Sequence, residues 1–246
     1  MSYHIVIPAR MASERLPGKP LARIGSATLI ERVWLRARAA SAASVVIATD
    51  NEEVLSEAHS FGAEALLTSN RHPSGSDRIA ECADRMGWSD AELIVNLQGD
   101  EPLMPPACLD QVAALLAAHP EADVASLYDA FDDEAAAGDP NAVKVVTDRN
   151  GRALYFSRAR VPYRRDAAGA VTWQRHIGLY AYRAGALRAF TRTPPTPLEQ
   201  AEKLEQLRFL ECGRTIVMAQ ASESIPAGVD TPEDLARVRR LLNPAD

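Results

Sequence analysis

The chain has 246 residues, 47% of them hydrophobic and 24% charged, with a formal net charge of −6. That length fits one large α/β domain, no apolar run reaches the length of a membrane span, and the N-terminus carries no signal-peptide pattern. The acidic balance excludes a general nucleic-acid binder; Cys82, Cys108 and Cys212, odd in number and far apart, fit neither a disulfide framework nor a zinc site and read as reduced cytoplasmic thiols.

The first element is a short apolar run, His4–Ile7, which reads as a buried strand closed by Pro8. A polar loop follows, carrying the cations Arg10, Arg15 and Lys19 among small residues, Ala9, Ala12, Ser13 and Gly18, that let its backbone approach a ligand. A cationic loop at the carboxyl end of a first strand is where an open α/β sheet binds phosphates. It is not a Walker loop, because Ser13 stands where the first glycine is needed and Pro20 where Ser or Thr follows the lysine. Nor is it a dinucleotide fingerprint, since no two glycines in the chain are separated by one residue. Only three of the 27 basic residues are lysines, at positions 19, 144 and 203. In so arginine-rich a chain, Lys19 suits a compact point charge on a phosphate.

A helix is predicted from about Thr28 to Ala40, with Leu29, Ile30, Val33 and Leu35 on its apolar face. Val45–Ala48 is a second buried strand, with Asp50 or Asn51 capping the next helix. Glu64–Thr68 is a third strand, and a helix runs from about Asp77 to Met86. At the turn between them, Ser74 and the backbone amides have two readings, a helix cap or a reader of a base edge. Arg78 would reach a phosphate or brace the loop. Leu93–Asn96 reads as a central strand, with Gly99 as its tight exit and Asp100 just beyond it, a hard oxygen ligand able to hold magnesium against nucleotide phosphates.

After Pro105 a helix extends to about His119, and Asp123–Phe131 is strand-like. Asp132–Asp139 reads as an exposed acidic face. Ala142–Val146, the turn Asn150–Gly151 and Ala153–Phe156 form a predicted β-hairpin, followed by a strand at His176–Tyr182. Roughly residues 130 to 185 thus read as a β-rich lobe beside the first sheet. A helix is predicted from about Thr196 to Cys212; along one helix Glu199 and Glu205 point in opposite directions, so at most one can face a pocket. Thr215–Ala219 is a strand. Thr231 and Asp234 make a capping box for the last helix, with Pro232 at its first position, leaving Asp230 free for a metal. Strand and helix alternate without repeats or linkers, which predicts one domain with a mainly parallel sheet covered by helices.

The segments Pro8-Ala-Arg10, Ser13 and Arg15-Leu-Pro-Gly-Lys-Pro-Leu21, with Gln98-Gly-Asp100, Asn141-Ala-Val-Lys144, Tyr155-Phe-Ser-Arg158, His176-Ile-Gly-Leu-Tyr180 and Asp230-Thr-Pro-Glu-Asp234, resemble the sugar-nucleotide cytidylyltransferases. The likeness is greatest to the branch that acts on 3-deoxy-manno-octulosonate (Kdo), and it spans nearly the whole chain. It implies a Rossmann-like three-layer nucleotide-diphospho-sugar transferase fold and transfer of CMP from CTP to Kdo for lipopolysaccharide synthesis. It implies that Asp100 and Asp230 hold Mg2+, and that Ala9, Arg10, Ser13, Arg15, Lys19, Ser74, Arg78 and Gln98 contact the nucleotide. It also implies that Gln98, Arg158, His176, Tyr180, Glu205 and Gln206 line the sugar site. Arg158 suits a bidentate pair with a carboxylate; His176 and Tyr180 share one face of a strand. Ser76 stands where the family has Thr, keeping the hydroxyl. The roles of Glu101 and Lys144 stay open. A cytoplasmic homodimer is expected, without nucleic-acid or membrane partners. The rival readings are another acidic 2-keto sugar, such as an amino-Kdo or a sialic acid, and a non-catalytic nucleotide sensor.

Overall fold

Five successive buried residues, Ile5 to Ala9, carry β1 (His4–Ala9) through the middle of the protein. The computed structural model of the chain describes residues 2–13, 15–131, 133–166 and 172–242. After β1 come a 3-10 turn at Lys19–Leu21, a hairpin of β2 (Arg23–Ile24) and β3 (Ala27–Thr28), then α1 (Leu29–Arg38), β4 (Ser44–Thr49), α2 (Glu52–Ser60) and β5 (Glu64–Leu67). Next are α3 (Gly75–Arg85), β6 (Leu93–Asn96), α4 (Pro106–Ala118), β7 (Val124–Ala130) and α5 (Glu134–Gly138). The chain continues with β8 (Lys144–Thr147), β9 (Ala153–Ser157), β10 (Gln174–Arg183), α6 (Ala184–Arg192), α7 (Pro197–Glu202), α8 (Gln206–Glu211), β11 (Ile216–Gln220) and α9 (Pro232–Leu242).

The main sheet has the order β11-β7-β10-β6-β1-β4-β5. β1 lies parallel to β4 and β6, β4 to β5, and β11 to β7; β10 runs antiparallel to both its neighbours, β6 and β7. Alternate residues of β1 go to opposite faces: Ile5 and Ile7 join the core beneath α1, α2, α4 and α9, while Val6 joins the core beneath α3 and α6. Both faces are therefore covered, which is why these strands read as continuous apolar runs.

Local signals place most helix starts. Thr28 and Glu31 form a capping box on α1, Asn51 caps α2, Ser74 caps α3, and Thr231 and Asp234 exchange hydrogen bonds at the start of α9. Leu35 departs from the expected apolar face of α1 and is exposed. The acidic stretch contains the short helix α5, capped by Asp133, while Asp132 lies outside the described residues.

Two larger differences concern the second half. The strand at His176–Tyr182 belongs to β10, a ten-residue strand inserted between β6 and β7. The hairpin β8–β9 joins the same sheet through β10. Ile177, Leu179, Ala181 and Tyr182 are buried, as a central strand requires. The helix predicted over Thr196–Cys212 is two helices, because Lys203 takes the left-handed conformation (φ 55°) and ends α7. Helix α6 was not anticipated.

Candidate active site

The carboxyl ends of the parallel strands β1 and β6 open into a cavity of about 410 Å³. The loop after β1 supplies one wall with Ala9, Arg10, Ser13, Arg15 and Lys19, and the exit of β6 supplies Gln98, Gly99 and Asp100. Asp230 closes the cavity from the segment before α9. These eight residues predicted for nucleotide and metal, Ala9, Arg10, Ser13, Arg15, Lys19, Gln98, Asp100 and Asp230, are thus brought together from three separate parts of the chain.

Two glycines make that convergence possible. A Cβ on Gly99 would lie 2.8 Å from the carbonyl oxygen of Pro8, and one on Gly228 would lie 2.8 Å from that of Asp100. Only glycine lets these backbones pass so closely. The second approach is fixed by the Val229 amide donating to the Asp100 carbonyl at 2.8 Å.

Lys19 sits where the two carboxylates meet. Its Nζ donates to Asp100 Oδ2 at 2.7 Å, to Asp230 Oδ1 at 3.1 Å and to the Val229 carbonyl at 3.1 Å. Arg15 reaches the other oxygen of Asp230 at 3.2 Å. Burial opposes the charge on Lys19, but the two carboxylates outweigh it and raise the ammonium above its ordinary value. Glu101, outside the cavity lining, is pushed up to about 7 by burial and by the nearby Asp100 and Asp230 charges, and its Oε2 has no hydrogen-bond partner. Among the described residues no cluster of three or more His, Cys, Asp or Glu groups suits a metal. The Asp100–Asp230 pair nonetheless fits magnesium, which takes one or two carboxylates and completes its shell with phosphate oxygens and water. The Lys19 ammonium lies between the two carboxylates.

A second cavity of about 350 Å³ adjoins the first, and Gln98 and Gly75 line both. Tyr180, Glu205 and Gln206 lie in its wall. So do Asn96, Tyr182 and Phe209, which the sequence analysis missed. Tyr182 follows Tyr180 by two strand positions and hence shares its face, which was a usable signal. The rings of Tyr180, Tyr182, Phe209 and Phe190 form a continuous stack, with centroids 5.6, 5.9 and 4.5 Å apart. Gln98 Nε2 donates to Asn96 Oδ1 at 3.2 Å, and Ser76 Oγ donates to Glu205 Oε2 at 3.1 Å. Desolvation raises the Glu205 carboxyl above its usual range, partly offset by the Ser76 hydrogen bond and the Arg208 charge.

Four predicted residues lie outside both linings. Ser74 is the cap of α3, its hydroxyl bonded to Asp77 at 2.6 Å. Arg78 is fully buried and braces the loop, binding Asp50 at 2.7 Å and the Thr68 hydroxyl. Arg158 spends its guanidinium on backbone carbonyls, Glu202 at 2.7 Å and Pro140 at 3.0 Å, instead of facing the second cavity. His176 stands behind Tyr180, its ring 5.3 Å away, and bonds the Ser126 hydroxyl at 3.1 Å. Lys144 is fully buried on the carbonyls of Asp139 and Ala142. Glu199, the alternative to Glu205, is paired with Arg208 at the junction of α7 and α8.

A family model described as Cytidylyltransferase matches residues 4–216. This chain belongs to that family. Two curated members similar to it are named 3-deoxy-manno-octulosonate cytidylyltransferase. The one from Pseudomonas syringae pv. tomato is 53% identical, and the one from Pseudomonas fluorescens (strain SBW25) is 51% identical, each over 98% of both chains. Among solved structures, CMP:2-keto-3-deoxy-manno-octonic acid synthetase complexed with CTP superposes with a TM-score of 0.92 at 39% identity, covering 98% of each chain. The cytidylyltransferase fold thus covers 98% of the chain. Among the described residues no helix is long and apolar enough to cross a membrane.

Proposed function

We propose that the chain transfers the cytidylyl group of CTP to Kdo, giving CMP-Kdo and pyrophosphate for lipopolysaccharide synthesis. The observation that carries this reading is the pair of adjoining cavities sharing Gln98, one cationic with two convergent carboxylates, the other aromatic and polar. The family membership and the similar proteins named above support the choice of nucleotide and sugar.

In this reading the triphosphate lies in the first cavity against Arg10, Arg15 and Lys19. Arg10 has no carboxylate partner among the described residues, so its charge is available to an anion. Kdo occupies the second cavity beside Tyr180, Glu205 and Gln206. Its anomeric oxygen attacks the α-phosphorus, a P–O bond forms as the bond to the β-phosphate oxygen breaks, and pyrophosphate leaves. Positioning across the shared wall and charge neutralisation by the loop cations supply most of the acceleration. Mg2+ held by Asp100 and Asp230 would neutralise triphosphate charge and lower the pKa of the attacking hydroxyl, so that no side-chain base is required. The same reading carries a cytoplasmic location and a homodimeric assembly.

Pyrophosphate release tests it. Mixing the protein with CTP, Kdo and Mg2+ is expected to release pyrophosphate, with loss of release when Mg2+ is chelated. A panel of nucleoside triphosphates and acidic sugars runs alongside. Faster turnover of a sialic acid or an amino-Kdo would reassign the sugar, and no release with any pair would leave the nucleotide-sensor reading in its place.

A further inference from the structure

The Lys19 ammonium has three N–H donors, and all three are committed: to Asp100 Oδ2, Asp230 Oδ1 and the Val229 carbonyl. It cannot serve a phosphate oxygen without releasing at least one of them. Asp100 and Asp230 are in the same position from the other side. A divalent cation seated between them takes the oxygens that Lys19 now holds. Two carboxylates against Lys19 and Arg15 make a locally neutral group, with little field left to draw in a free metal ion.

We propose that Lys19 is the resident cation of the Asp100–Asp230 pair, and that a divalent cation arriving with the nucleotide displaces its ammonium from the carboxylates onto the triphosphate. This rests on the reading that these two carboxylates hold the metal. It adds a role that neither the loop nor the carboxylates have alone. Lys19 keeps the pair assembled, keeps metal affinity low until phosphate is present, and then supplies its charge to the phosphate. Metal and nucleotide therefore bind with positive coupling, each raising the affinity for the other by the same factor. Lysine suits the task because its ammonium is a point charge on a flexible four-carbon stem, whereas a rigid arginine fork would stay with the carboxylates. The backbone restraint matters as well: Val229 and Asp100 are tied together through their main chains, so the carboxylates stay close when the ammonium leaves.

The test is Mn2+ binding, measured by calorimetry without nucleotide or sugar, on the parent, Lys19→Met, Asp100→Asn, Asp230→Asn and Lys19→Met/Asp100→Asn. Lys19→Met keeps an unbranched side chain only one atom shorter and removes the competing charge. It is expected to bind Mn2+ about tenfold more tightly than the parent, since one unit charge at this distance is of that order, while its turnover falls about a hundredfold. The double variant is expected to lose the gain. Metal affinity in Lys19→Met equal to or below that of the parent overturns the proposal. Affinity unchanged in Asp100→Asn and Asp230→Asn, and unchanged when Asp100→Asn is added to Lys19→Met, removes the metal reading itself. A second measurement reads the parent protein and uses variants only to assign its signals. Protein labelled with 13C at lysine Cε gives three signals, from residues 19, 144 and 203, each assigned by an arginine replacement. The Lys19 signal is expected to shift when CTP and Mg2+ are added together, and far less with either alone. A Lys19 signal unmoved by the pair overturns the transfer.

Discussion

The surroundings of the His176 imidazole withdraw it from water and lower its pKa from 6.5 to about 3. The Ser126 hydroxyl lies 2.8 Å from the Leu179 carbonyl, 3.0 Å from that of Ile177 and 3.1 Å from His176 Nε2. Phe156 meets the ring edge-on, 4.9 Å away, and Tyr180 covers its other side. The linkage has a definite sign. Below about pH 6.5 the unfolded chain takes up a proton that the folded protein refuses, so stability falls as pH drops from 6.5 towards 3. The slope from this one group is expected to be about 1 kcal/mol per pH unit, under the one-proton limit of about 1.4. His176→Gln is expected to lose stability at neutral pH yet show a shallower acid slope, read from urea midpoints between pH 7 and 4. An unchanged slope would mean that the acid sensitivity lies elsewhere. The residue type was legible in the sequence as a hydrogen-bonding group near the sugar; its place behind Tyr180 was not.

The junction of α7 and α8 decides where Glu205 and Gln206 point. Lys203 turns the chain through the left-handed region, and its amide bonds the Glu199 carbonyl to close α7. Arg208 then clamps Glu199 from α8, with Nε at 2.7 Å. A non-glycine residue in this conformation is held by its surroundings at a cost of about 1 kcal/mol. Lys203→Gly is expected to leave stability within about 0.5 kcal/mol, because relief of strain offsets the greater freedom of the unfolded chain. Lys203→Val, with a β-branched side chain, is expected to lower it by about 2 kcal/mol. The Val variant should also raise the KM for the sugar; denaturant midpoints and steady-state kinetics read the two effects. This junction was invisible in the sequence because neither glycine nor proline falls between residues 198 and 212. The carboxyl ends of β1 and β6 were legible for the opposite reason: apolar runs stop at Pro8 and Gly99, and charged residues follow at once. Arg158 shows the remaining limit, since nothing in Ser157-Arg158 announces that the carbonyls of Pro140 and Glu202 will claim the guanidinium.

Across the whole molecule, β10 joins two parallel groups into one sheet, β6-β1-β4-β5 on one side and β7-β11 on the other. The first cavity draws on the first group, while the second straddles β6 and β10. Separating the two groups exposes β6, the strand that both cavities use, so the chain is expected to unfold as one cooperative unit. Trp34 on α1, Trp88 stacked on His4 at 4.2 Å, and Trp173 just before β10 report from separate regions. Three variants, each keeping one tryptophan, should give coincident urea curves; an earlier transition for Trp173 alone would mark the 130–185 region as a separate unit. The same arrangement has a consequence for synthesis on the ribosome. The strand that covers the open flank of β6 is made about 90 residues after it, or roughly 5 to 20 s at bacterial elongation rates. During that interval four apolar parallel strands exist with a bare edge, the geometry that recruits other nascent chains. The buried centre of the finished sheet is therefore the place where the growing polypeptide is most exposed to misassembly.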